Sequence, residues 1–238
     1  MKTPIPIAAV LLLAACTVTT PPPATPPAPE PPLPPCPLEQ HSWEDYHLQH
    51  EALSPVVHNQ SGYDPAAVTA AWNALNTRIQ LRPSGEGFPL TITEGGDENS
   101  GWLGLATIRI GAESHITEAT VKMNRVLLAR FPAVVDEHVL CQEVGHLFGL
   151  GHQPNTERDS CMNDCAGLRG EEWLACLSDP QGVTPNAHDA EELNRIYAHV
   201  PQDPDAPPCH PPPACLGEIR VHAFPLEGAP PHDHPPHP

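Results

Sequence analysis

Residues 142 to 152, Gln142-Glu143-Val144-Gly145-His146-Leu147-Phe148-Gly149-Leu150-Gly151-His152, concentrate the residue types that bind a metal and move a proton. Gln142 and His146 are four apart. On a helix, residues at that spacing lie on one face, about one turn from each other. Glu143 is rotated aside from that face, where a carboxylate meets a metal-activated water and not the metal. Gly149 lets the chain turn sharply, because glycine reaches positive φ without steric cost. His152 can then fold back toward His146. Two imidazoles, a further ligand and an open position make a hydrolytic zinc site. In such a site the ion acidifies a water and polarises a carbonyl, and a nearby carboxylate acts as general base. Taken singly, Glu143 reads as a surface carboxylate, His146 as a core histidine and His152 as a loop residue. Their joint spacing with Gly149 gives the run its meaning.

Gln142 is the unusual member. Its amide oxygen can ligate a metal and reaches further than an imidazole, but it is a weaker, neutral donor. It also lacks the second nitrogen through which a histidine is oriented by a neighbouring group. It is either an unusual ligand or the mark of a lost site. His138 does not replace it on a continuous helix, since eight residues at 1.5 Å each put it about 12 Å from His146. Cys141 points away from the His146 face.

A helix over 133–148 must carry this run, with Val135, Val139, Val144, Leu147 and Phe148 as its apolar residues and Gly149 as its stop. An earlier helix over 66–79 is marked by Asp64 as N-cap, Pro65 at the first helical position and apolar Val68, Trp72, Leu75 and Ile79. Three extended segments, 88–93, 102–110 and 116–123, lie between the two helices. They are rich in β-branched or alternating apolar residues and separated by glycine or polar turns. A third helix covers 189–199, with Leu193, Ile196 and Tyr197 inward. A short strand-like piece covers 217–224.

The 142–152 run resembles the metzincin signature H-E-x-x-H-x-x-G-x-x-H, with Gln142 standing where the first histidine falls. Ser160-Cys161-Met162-Asn163 resembles the methionine-containing turn that follows the third ligand in that family. The order of helix, strands, metal helix, turn and last helix over about 60–200 is also similar. The resemblance implies an α+β fold: a small mixed β-sheet, an active-site helix and a C-terminal helix. It implies one zinc ion (Zn2+) held by Gln142, His146 and His152, Glu143 as the catalytic base, and Met162 packed beneath the metal. Residues 116–123 would form the sheet edge that pairs with extended substrate. Cys141 and Cys161 would lie close enough for a disulfide that pins the turn. The implied function is a zinc metalloendopeptidase acting on extracytoplasmic proteins or peptides. The competing expectation is a weak or inactive lipoprotein of the same fold that serves as a binding module.

The rest of the chain sets the context. Met1-Lys2, an apolar run over 5–13 and Leu13-Ala14-Ala15-Cys16 resemble a bacterial lipoprotein signal, with Cys16 as the lipidation site. The expected organisation is a signal peptide over 1–15, a lipid-anchored Pro-rich linker over 16–39, the metallopeptidase domain over 40–200 and a Pro/His-rich extension over 201–238. The expected location is the cell envelope, with the lipid anchor as the sole membrane contact. The 34 prolines among 238 residues keep the tails irregular. A net charge of −18 argues against nucleic acid or an anionic bilayer surface as partner. An exported chain can pair its cysteines. Besides Cys141 with Cys161, the pairings Cys165 with Cys176 and Cys209 with Cys215 are the candidates, leaving Cys36 over.

Overall fold

The computed structural model describes residues 46–49, 52–111, 114–153, 159–163, 165–198 and 219–225. All of these fall in the compact unit Pro34–Pro238. The Cys16 signal, the Pro-rich linker, Cys36 and the Cys209/Cys215 pair lie outside the described residues.

The architecture is α+β, a six-stranded mixed sheet with five helices among the described residues. In chain order the elements are β1 (His47–Leu48), β2 (Val56–Asn59), α1 (Ala66–Ala74), β3 (Pro89–Glu94), β4 (Trp102–Ile110) and β5 (His115–Met123). They continue with α2 (Arg125–Leu128), α3 (Ala133–His146), α4 (Gly170–Leu177), α5 (Ala187–Ile196) and β6 (Ile219–Pro225). The sheet order is β2-β3-β5-β4-β6, and β1 pairs with the start of β5. Strands β2, β3 and β5 run parallel, whereas β4 is antiparallel to both β5 and β6.

Strand β4 coincides with its expected span, β3 is shifted from its own by one residue at each end, and β5 begins one residue earlier than expected. In β4, Ala106, Ile108 and Ile110 are buried while Leu105, Thr107 and Arg109 are partly exposed. That alternation is what one covered sheet face produces. Helix α1 is shorter than its apolar spacing predicts. It stops at Ala74 because Asn76 takes a positive φ of 52° and breaks the helical path. Ile79 is still buried, but from an extended segment.

One expectation is overturned. Residues 116–123 do not form a sheet edge: β5 lies between β3 and β4. The antiparallel strand beyond it is β4, and β4 in turn carries β6 on its outer side. The hydrophobic pattern sets which face of a strand is buried but not which strand it neighbours.

Helix α3 is the central element. From His138 to His146 every residue is buried, as befits a helix enclosed on all sides. Gly104 on β4 lets it approach the sheet closely, because a Cβ there would fall 2.8 Å from Glu143 Cγ. On its other side Trp72 of α1 donates its indole N–H to the Cys141 carbonyl at 3.3 Å and meets Phe148 edge-on. The Cys141–Cys161 disulfide joins α3 to the turn around Met162, and Cys165–Cys176 joins that turn to α4. These bonds fit an extracytoplasmic protein. Among the described residues no helix is long and apolar enough to cross a membrane.

Candidate metal centre

Helix α3 ends at His146, and Gly149 turns the chain back with a φ of 89°. No side chain fits there, since a Cβ would collide with the Tyr46 carbonyl. Positive φ and close backbone approach are thus both required of this one glycine. The turn lets the Leu150 carbonyl accept a hydrogen bond from His146 Nδ1 at 2.7 Å. A carbonyl can only accept, so Nδ1 carries the proton and Nε2 is the lone-pair nitrogen, as in metal-binding histidines.

His152 is placed by the residue after it. Gln153 donates its backbone N–H to the Met162 carbonyl at 2.9 Å. Its side chain donates to Asp189 Oδ1 at 2.6 Å. Asp189 also accepts from Ser160 Oγ at 2.6 Å and from the Asn186 backbone at 2.8 Å. Asn186 and Asp189 form the capping box of α5. This buried network fixes the ligand loop, the Met162 turn and the last helix to one another. Met162 is fully buried and packs against Gly145 of α3, where a Cβ would overlap its sulfur.

Gln142 is fully buried and anchored, its amide donating to the Cys161 carbonyl at 3.0 Å. The third imidazole beside His146 and His152 is His222, from β6. One ligand atom from each of His146, His152 and His222 lies within 4.8 Å of the other two. The ring centroids are 4.9 Å apart for His146 and His152, 3.9 Å for His146 and His222, and 4.5 Å for His152 and His222. Three imidazoles so gathered can hold a metal ion. His146 is buried, and His152 and His222 keep partial exposure.

Glu143 sits beside this cluster, wholly buried against β4 and β6. Its Oε2 lies 3.4 Å from His222 Nδ1. Burial pushes its carboxyl well above the ordinary value, and the backbone amides of Ala106 and Phe224 oppose that only in part. His138 is not part of the cluster. It donates through Nε2 to the Asn163 carbonyl at 2.9 Å and meets the Phe224 ring edge-on.

The structure therefore brings together Glu143, His146 and His152 with Met162 at the neighbouring turn, as the spacing of the run suggests. His222 was not among the residues singled out from the sequence. Its only signal is an imidazole in the middle of a short strand-like segment, on the face shared with Arg220 and Phe224. Compared with known proteins, the chain matches no family model, no curated protein and no solved structure.

Proposed function

We propose that the chain is a metal-dependent peptidase of metzincin-like type, exported and anchored through Cys16, whose ion is held by His146, His152 and His222. The observation that carries this reading is the convergence of three imidazoles from two distant segments beside one buried carboxyl. The donor set fits zinc, which imidazole ligands suit and which tolerates three protein ligands with an open fourth position. A bound ion there would supply Lewis-acid polarisation of a peptide carbonyl and acidify a water. The chain's own groups do the rest. Leu150 orients His146 through Nδ1, Glu143 orients His222, and Gly149 sets the loop that brings His152 in. Among the described residues Glu143 is the carboxyl beside the three imidazoles, placed to act as general base and to return the proton to a leaving amine. Gln142 serves as a strut to the Met162 turn in this reading.

The test is metal analysis of the purified full chain with a peptide-library cleavage assay. One zinc per chain is expected, lost in His146→Ala and His152→Ala. Glu143→Gln should keep the ion and lower cleavage by about 10²–10⁴-fold, the usual worth of a general base. A chain that binds no divalent ion sinks the proposal. A second reading, a non-catalytic metal-binding module, is favoured by the contact of Glu143 with His222, since a carboxylate on a ligand imidazole is also how closed sites orient their ligands. Stoichiometric metal without any cleavage selects it.

A further inference from the structure

Strand β4 turns Gly104, Ala106, Ile108 and Ile110 inward. The two small residues stand at the end that meets Glu143, and the two large ones lie beyond it. A glycine inside a strand is unfavourable unless the chain or a neighbour requires it. The backbone does not require this one, for Gly104 is not among the glycines with positive φ. Its neighbours do. A Cβ at 104 would fall 2.6 Å from Val139 Cγ1, 2.8 Å from Glu143 Cγ and 2.9 Å from Glu143 Oε1. Carbon atoms in contact settle at about 3.5–4.0 Å, so something would have to give.

The three neighbours differ in what they can give. Gly104 cannot retreat, because β4 is paired on both sides, with Met123 of β5 and Phe224 of β6 opposite this residue. Val139 is β-branched, and in a helix such a side chain keeps essentially one rotamer. Glu143 has an unbranched stem and is the group that would move. Its Oε2 meets His222 Nδ1 at 3.4 Å, already the long end of a hydrogen bond, so a small displacement breaks the contact. We propose that Gly104 is a positioning residue of the metal centre: the space left by its missing side chain holds Glu143 against His222 Nδ1, and so aims His222 Nε2 at the ion. A histidine that binds metal through Nε2 keeps its proton on Nδ1, where a carboxylate accepts it. This deepens the metal-centre reading and rests on it for the ion.

The test measures zinc affinity of the full chain by competition with a chromophoric chelator, and the visible absorption of the cobalt(II)-loaded chain. Every form carries Val139→Ala, which removes the valine contact and keeps the variants folded; denaturant unfolding checks this. Val139→Ala alone should bind zinc as the parent does. On that background Gly104→Ala should weaken zinc binding by about 10–100-fold, and Glu143→Ala should do the same, the usual worth of a group that orients a ligand. Gly104→Ala combined with Glu143→Ala should bind no more weakly than Glu143→Ala, because the glycine then has nothing to position. The cobalt spectrum should change in Gly104→Ala as it does in Glu143→Ala, a signature that a loss of packing alone does not give. Unchanged affinity in Gly104→Ala overturns the proposal. So do losses that multiply in the combined variant, since Gly104 would then act through the packing of α3 on the sheet. A parent chain that takes up no zinc is a separate failure, seen before any substitution is made: it sinks the metal reading and this inference with it.

Discussion

Two regions supply the three imidazoles, and they hold them by different means. His146 and His152 belong to a core in which α3, the Met162 turn and α5 are joined by a disulfide and by the buried Asp189 network. His222 belongs to β6, whose described attachments are one strand ladder with β4 and the side chains on its inner face. The first region fixes two of the imidazoles through covalent and buried polar ties, and the second presents its imidazole from an edge strand. The cluster that could hold an ion is thus divided between a cross-linked core and a strand at the rim of the sheet.

The comparison breaks most sharply at the disulfide. Cys141→Ser with Cys161→Ser should cost about 3 kcal/mol of global stability, the chain-entropy worth of a loop of this size. Denaturant unfolding of the double variant reads it. A loss below about 1 kcal/mol would mean that the core needs no such staple. Asp189→Ala comes next. It strands donors from Gln153, Ser160 and Asn186, at about 1–3 kcal/mol each, but it also removes a carboxyl whose burial is itself unfavourable, so a net loss near 2–3 kcal/mol is expected in the same measurement. Metal affinity should fall with it, because His152 loses its support. Phe224→Ala probes the other region. A buried Phe truncated in a core costs about 3–5 kcal/mol, yet on a separable strand the effect should fall on β6 alone. The prediction is faster exchange at 219–225, with global stability within about 1 kcal/mol of the parent. A full core-sized loss in global stability would show the two regions to be one cooperative unit.

The smallest effect concerns pH. Asp136, half-buried in the first turn of α3, has its carboxyl pushed up to about 6, by burial first and then by the Glu137 charge. The folded chain therefore keeps this proton while the unfolded chain has released it. Stability from this group is largest below the unfolded value near 4 and falls as pH rises to about 6. Asp136→Asn should flatten that slope and stabilise the protein at neutral pH by about 1 kcal/mol, after allowance for solvent screening. Melting temperatures of both forms between pH 4 and 7 test the sign.

Much of the core region is legible in the residues. The four-residue spacing of Gln142 and His146 needs only a helix, Gly149 only a turn, and β4 only alternation. The Cys141–Cys161 and Cys165–Cys176 bonds follow the resemblance and the simplest pairing. Strands β1 and β2 and helices α2 and α4 are harder, because segments of two to eight residues carry too little periodicity to stand out. His222 is illegible for a different reason. Its place at the centre depends on β6 pairing with β4, a contact between segments far apart in sequence, and no local spacing encodes such a contact.

The distance in sequence between the two regions also imposes an order of synthesis. His222 lies far beyond His152 along the chain. While the polypeptide is being made, His146, His152 and all of β4 exist before β6 does. Until β6 is added, two of the three imidazoles and the outer edge of β4 are without the strand that covers them.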